Sequence, residues 1–200
     1  MIQEKNQPSM DDPAASLRLI EGMIMQAQQR FNENGFLYLL WGWVIFFSAT
    51  GHFLLLHTNW VSHPEWIWTS CLLAVVWQII FLARKSRRTT VHTYSDEMLK
   101  HIWIVFGIMM GLLSVNVAHL QDWKLYYALV LMLYGIPTFL SGVVLRFPAL
   151  QIGAVICWML SVATKYVPDI YILLLIAAAV VAAWIIPGYL LRARFKKQNN

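Results

Sequence analysis

The stretch LYLLWGWVIFFSATGHFLLL, residues 37–56, contains 20 positions without one charged side chain. As an α-helix it would be roughly 30 Å long, which is the thickness of the hydrocarbon layer of a bilayer. A buried strand of a soluble protein is much shorter, about 4–8 residues. The stretch therefore predicts a membrane-spanning helix, and this sets the class of the protein.

The composition of the whole chain also favours a membrane protein. Of 200 residues, 59% are hydrophobic and 12% are charged, with a mean hydropathy of +0.57. A soluble domain is about one quarter charged. The formal net charge of +5 comes from basic residues that flank the apolar stretches, which is typical of orientation in a membrane. We therefore expect the lipid bilayer as a partner and no direct binding of nucleic acid.

The hydropathy pattern predicts an all-α, polytopic membrane helix bundle with about six transmembrane helices. Their predicted ranges are 36–57, 65–84, 99–119, 125–145, 148–166 and 169–191. The connections are short, which favours antiparallel neighbours. Pro148 follows the shortest connection, and a proline is well suited to the first turn of the next helix.

The lysines and arginines predict the orientation. With the N-terminus in the cytoplasm, only Lys124 and Lys165 of the 15 basic residues fall on the outer side, which leaves thirteen inside. This is a strong positive-inside bias. An even number of spans returns the C-terminus to the cytoplasm. The polar start of the chain has no apolar region of a signal peptide, so the first span is expected to act as the insertion signal.

The pattern divides the chain into three parts. Residues 1–34 form a cytoplasmic segment with an amphipathic helix, 35–191 the six-span domain, and 192–200 a basic cytoplasmic tail. The helix is expected to start after Asp12, to end at Asn34-Gly35, and to collect its apolar residues on one face. These residues are Leu17, Ile20, Ile24, Ala27 and Phe31. It either lies in the membrane interface or under the bundle, or it serves as a docking or dimerisation helix.

Two segments are similar enough to suggest an internal repeat. LWGWVIFFSA, 40–49, and LYGIPTFLSG, 133–142, share Leu, Gly, Phe and Ser at aligned positions. The offset places the first span over the fourth, so the chain would consist of two halves of three spans with inverted topology. This architecture is common among transporters. Four identities in ten apolar positions are also expected from the shared composition of membrane segments.

Polar side chains within the spans are the candidate functional residues, because they are costly in lipid. They are Gln78, Asn116, His119 and His52. Gln78 and Asn116 are expected to face the interior of the bundle. Each of these residues either forms a hydrogen bond between helices or contacts a substrate.

Histidines and acids collect on the predicted outer side, which raises the question of a metal site. They are His52, His57, His63, His119, Glu65, Asp122 and Asp169. His52 and His57 are five residues apart, so they do not share a helical face as an i, i+4 pair would. Interface histidines that bind water and lipid headgroups explain the cluster better, and we expect neither a metal nor a cofactor.

The spans also contain patterns of small residues that are typical of helix packing. Gly107 and Gly111 form a small-xxx-small pattern in the third span, and Ala178 and Ala182 form a similar strip in the sixth. These residues pack either within the bundle or against another subunit. No catalytic motif occurs, and no acid lies at membrane depth, so an enzyme is not expected.

Three strings of the sequence carry a resemblance to a known family. NGFLYLLWGW (34–43), LRFPALQIGAVICW (145–158) and IIPGYLL (185–191) resemble an uncharacterised family of small bacterial inner-membrane proteins with six spans. The resemblance covers most of the chain and implies the same location. Family members are often encoded beside a small winged-helix regulator, which implies a membrane partner in regulation or envelope stress. The family offers no functional residue to transfer.

The sequence therefore predicts an integral inner-membrane protein without enzymatic activity that acts by association, in regulation or sensing. Its partner would be another protein or a second copy of the chain. The alternative is a small-solute transporter or channel with a 3+3 inverted repeat, which requires a polar cavity between the halves.

Overall fold

A computed structural model describes the backbone of residues 13–58, 60–86, 94–117 and 122–198. Side chains are described for 35–58, 60–84, 97–117 and 122–193. The helices are α1 (Pro13–Thr58), α2 (Thr69–Ser86), α3 (Tyr94–Val117), α4 (Trp123–Val144), α5 (Pro148–Ala163), α6 (Asp169–Val180) and α7 (Ile186–Gln198). A 3₁₀ turn, Pro64–Trp68, precedes α2, and another, Thr164–Tyr166, follows α5. The π-helical turn Val181–Ile185 joins α6 to α7, and these three elements form the sixth span.

The predicted fold class is confirmed. Six helices are long and apolar enough to cross a membrane, and the described residues contain no strand. The six spans are Gly35–Thr58, Pro64–Arg84, Glu97–Val117, Trp123–Val144, Pro148–Tyr166 and Asp169–Ala193. Their ends lie close to the predicted ones, and α5 begins at Pro148 as the proline indicates.

The expected helix end at Asn34-Gly35 is wrong, because α1 is one continuous helix of 46 residues. Gly35 does not adopt the left-handed conformation that a helix end of this type needs. It serves instead as a close contact. A methyl group placed on Gly35 would lie 3.5 Å from the Gly188 carbonyl oxygen of α7. The predicted apolar face before Gly35 lies outside the described side chains.

The sixth span is the centre of the bundle. It packs against α1, α4 and α5, whereas α2 packs against α1 and its own preceding turn, and α3 packs against α4. Within the protein, 56% of the sixth span's apolar window is buried, compared with 6% for the second and third spans. The second and third spans are therefore peripheral helices that present most of their surface to lipid.

The π-helical turn in the sixth span has a local cause. Pro187 has no backbone N–H, and its ring conflicts with the carbonyl four residues earlier in a regular α-helix. That carbonyl belongs to Ala183, which lies inside the π-helical turn. The wider turn lets the helix continue through Pro187-Gly188.

Close backbone contact at Gly153 fixes α5 against the sixth span. A methyl group placed on Gly153 would lie 2.6 Å from Ala183 Cα and 2.7 Å from the Ala182 carbonyl oxygen. These are backbone atoms, so they cannot move aside as a flexible side chain would. By contrast, nothing described in the chain lies within 4 Å of a methyl group placed on Gly107.

We expect Gly153→Leu to destabilise the purified protein by at least about 1–3 kcal/mol, because the new side chain forces α5 away from the sixth span. Thermal unfolding in detergent measures the effect. Gly107→Leu is the matched control, since it adds the same side chain in open space, and it should leave the unfolding temperature nearly unchanged. Equal losses in the two variants would contradict this packing.

Candidate functional site

Three pairs of polar side chains connect α1 to the second span. The Trp41 indole N–H of α1 donates to Gln78 Oε1 of α2. In the middle of the interface the hydroxyls of Ser48 and Ser70 are 2.8 Å apart. At the end of the interface near the start of the second span, Trp68 Nε1 donates to His52 Nδ1 over 3.0 Å.

These bonds account for two of the predicted site residues. Gln78 and His52 both lie in the interface between α1 and the second span, and both accept a hydrogen bond from an indole. The two bonds use Trp41 and His52 of α1, eleven positions apart, which corresponds to roughly 16 Å along a helix. Gln78 and His52 therefore belong to one interface but not to one compact site.

The other two predicted residues do not join them. Asn116 is exposed on α3, where its amide donates to the carbonyl oxygen of Leu112 in the same helix at 2.7 Å. The expectation that Asn116 faces the bundle interior is therefore wrong, since the amide finds its acceptor one turn back on its own helix. His119 lies outside the described residues.

A second polar group, which the sequence did not single out, lies in the core between α4 and the sixth span. Trp184 of the π-helical turn is buried and donates from Nε1 to Thr138 Oγ1 at 2.9 Å. Thr138 in turn donates to the carbonyl oxygen of Tyr134 at 2.7 Å. The Tyr134 and Trp184 rings pack at a centroid distance of 4.8 Å.

Two helices complete this aromatic and hydroxyl cluster. Trp103 of α3 contacts Trp184, with a centroid distance of 6.0 Å, and contacts Tyr38 of α1 at 5.7 Å. The hydroxyls of Tyr38 and Ser141 are buried and have no hydrogen-bond partner among the described residues. The cluster thus joins α1, α3, α4 and the sixth span at one level, and its rings pack against each other.

A sequence signal for this cluster exists but is ambiguous. Trp184 lies far from the ends of its span, unlike an interface anchor, and Thr138 and Ser141 are three residues apart on α4, so they share a face. Trp68 and Trp103 lie near the ends of their spans, where tryptophans often anchor a helix in the membrane interface, whereas the structure uses both in contacts between helices. Trp60 and Trp66 remain largely exposed, as anchors are.

The predicted histidine and acid cluster is dispersed in the structure. His63 Nδ1 and Glu65 Oε1 are 3.0 Å apart at the surface, and Lys124 lies 3.7 Å from Asp169 at the start of α6. In the described parts of the chain, no three His, Cys, Asp or Glu side chains come together in a group that could hold a metal ion.

The predicted packing residues differ in their contacts. A methyl group placed on Gly107 or Gly111 would meet nothing within 4 Å in the described chain, so no neighbouring element of the described bundle packs closely on them. Ala178 is exposed, and Ala182 contacts Gly153 through its carbonyl oxygen. The fully buried strip of the sixth span lies one residue on, at Ala179 and Ala183.

The residues aligned by the suggested repeat also make non-equivalent contacts. Gly42 lies against Ile185 of the sixth span, whereas its counterpart Gly135 lies against Trp158 of the fifth. An inverted repeat would place Gly135 against the third span.

Comparisons of the chain with family models, curated proteins and solved structures find no match.

We expect the Trp184–Thr138 hydrogen bond to contribute to folding stability in a double-mutant cycle. Trp184→Phe, Thr138→Val and the double variant should give a coupling free energy of about 0.6–1.7 kcal/mol, the range found for such bonds in membranes. Unfolding in mixed detergent measures it. As a control, Trp123→Phe combined with Thr138→Val should show no coupling, because Trp123 is exposed at the first residue of α4, 15 positions from Thr138. A coupling of zero for the first pair would contradict the bond.

Proposed function

We propose that this integral membrane protein is not an enzyme and acts by associating with a transmembrane helix of a partner protein or a second copy, in regulation or sensing. The observation that carries the proposal is the open glycine flank of α3, defined by Ile104, Gly107 and Gly111. These residues are three and four positions apart, so they share one side of the helix.

A neighbouring side of α3, roughly a quarter turn away around the helix, is already used within the bundle. Leu99 is buried, Trp103 reaches Tyr38 and Trp184, and Phe106 packs against Tyr134 at a centroid distance of 5.9 Å. With this side fixed, the glycine flank is held in one direction, away from the described parts of the protein.

Glycines on such a surface have a specific consequence. Hydrophobic burial does not drive helix association in lipid, where packing and hydrogen bonding do. Two glycines a turn apart expose backbone, so another helix can approach closely and gain contacts that lipid chains do not supply. An exposed leucine offers no such advantage. This difference separates the glycine flank from the ordinary lipid-facing surface of α2.

The proposed location is the bacterial inner membrane, with both termini in the cytoplasm. The bias of the basic residues supports this orientation. The family resemblance, with its neighbouring winged-helix regulator, supports a role in regulation or envelope stress. The N-terminal part of α1 would then lie where a cytoplasmic partner can reach it.

We favour association over a transporter with an inverted repeat. The aligned glycines contact non-equivalent helices, and Gln78 and His52 are occupied by bonds to tryptophans. The cluster around Trp184 is filled by aromatic rings that contact each other. None of these features supports a polar path between two halves.

A photoreactive amino acid at Ile104 should crosslink to protein in native membranes and give an adduct of discrete mass, because the glycine flank brings a partner helix against it. Adding Gly107→Leu and Gly111→Leu should abolish the adduct, since leucines hold the partner's backbone away.

A fluorescent protein fused to the C-terminus should fluoresce if the tail is cytoplasmic.

Leu73 of α2 is the matched control position, because it is exposed to lipid in a region without glycine. The photoreactive group there should yield no discrete protein adduct. Absence of an adduct at Ile104, or an adduct that survives both leucines, would contradict the proposal. A dark fusion protein would contradict the orientation alone.

A further inference from the structure

The bond between Trp68 and His52 fixes the protonation state of the histidine. An indole N–H is a donor only, so His52 Nδ1, 3.0 Å away, has to accept and therefore has to be unprotonated. The two rings meet edge to face at 85°, and His52 is 8% exposed. The bond as it stands exists only while His52 is neutral.

We propose that this bond is a proton-sensitive latch: protonation of His52 breaks it and releases the outer end of the second span from α1. A proton added to Nδ1 turns the acceptor into a donor. Two donors then face each other, and Trp68 offers no lone pair in exchange. Histidine is the side chain whose ordinary charge change lies closest to neutral pH, so acidification is the stimulus to which such a latch would respond.

The fold makes the second span the helix that such a latch can move. Among the described elements, α2 packs against α1 and its preceding 3₁₀ turn only. Near the outer end, the Ile67 side chain lies over Gly51, and the Ser48–Ser70 pair is the next polar contact inward. Loss of the Trp68 bond therefore removes one of three polar attachments, while Trp41 and Gln78 still hold the cytoplasmic end.

The charged surroundings provide a second partner for the protonated histidine. Glu65 lies in the same 3₁₀ turn as Trp68, three residues before it, and its Oε1 is 3.0 Å from His63 Nδ1. On α1 itself, Phe53 follows His52 directly and stacks on His57. From α6, Tyr171 packs on Phe53, and Asp169 faces Lys124. When the hydrogen bond to Trp68 breaks, the Glu65 carboxylate can attract the positively charged ring of His52.

The reactivity of the Cys71 thiol can report on this movement. Cys71 is half-buried in the same interface, three residues after Trp68, and its thiol lies beside the hydroxyls of Ser48 and Ser70. Cys157 is fully buried elsewhere, with its sulfur 3.9 Å from the Ala179 carbonyl oxygen. Thiol labelling of a Cys157→Ala chain therefore reports on the interface between α1 and the second span.

The test measures the labelling rate of Cys71 by a membrane-permeant maleimide in liposomes at pH 7.5 and 5.5, with the same pH on both sides. Trp68→Phe lacks the indole donor. Dividing the labelling rate of the parent by the rate of this variant at the same pH therefore removes the intrinsic pH dependence of the thiol. We expect the chain with Trp68 to label at least about threefold more slowly than Trp68→Phe at pH 7.5. At pH 5.5 the two rates should be equal.

A second variant keeps the test decisive if Trp68→Phe does not fold. His52→Asn places an amide oxygen near the position of Nδ1, so it accepts the indole proton but does not titrate. It should label slowly at both pH values, whereas the chain with His52 opens at pH 5.5. Trp60→Phe, at an exposed tryptophan, should behave like the parent.

Two results would overturn the latch. One is a ratio between parent and Trp68→Phe that is the same at both pH values. The other is a His52→Asn chain whose rate relative to the parent is the same at both pH values, or is higher at pH 5.5 than at pH 7.5. The latch does not depend on the proposed association, because purified protein in liposomes contains no partner protein and the labelled residue lies on α2, away from the glycine flank.

Discussion

An N–H or O–H group in hydrocarbon is costly unless it finds an acceptor inside the protein, because lipid chains offer none. In the described bundle, tryptophan meets this constraint repeatedly. Indole N–H groups of Trp41, Trp68, Trp158 and Trp184 each donate across to another helix or turn. Every such bond selects one rotation of one helix about its axis, and together they determine which faces are left for lipid or for partners.

The bundle combines two kinds of helix contact with different consequences. Around the sixth span, glycines and alanines let backbones meet, so a displacement of a few tenths of an ångström is resisted by many atoms. The second span is attached to one edge of α1 by three side-chain hydrogen bonds and by the packing of Phe36 on Trp77 and Phe81. Such hydrogen bonds are individually modest in membranes, and the one to His52 requires a neutral imidazole. Rigidity is therefore concentrated in the first, fourth, fifth and sixth spans, and responsiveness in the second.

The sequence was sufficient for the fold class and the six spans, because length and hydropathy decide both. It could not identify the partners of polar residues. Gln78 and Asn116 look alike in sequence, yet one meets Trp41 across an interface and the other bonds to its own helix. The difference depends on helix rotation, which no local pattern encodes.

The packing residues were predicted less well for a similar reason. Gly107-Gly111 and Gly153 are all glycines in apolar helices, but only Gly153 faces a neighbouring backbone. The alanine strip was displaced by one residue, because the face that a helix buries depends on its rotation about its axis and not on the spacing of its small residues. The end expected at Asn34-Gly35 assumed that glycine terminates a helix, whereas here it permits contact with α7.

This architecture requires that the second span lies in lipid and attaches by one narrow face. Its most direct test places spin labels along residues 69–84 in liposomes and measures how often each label collides with oxygen and with a nickel chelate. Oxygen collision should be high at Leu72, Leu73 and Val76, with minima at 71, 74 and 78, and nickel collision should be low throughout the central turns. High nickel collision across the span, or oxygen minima on the opposite face, would contradict the account.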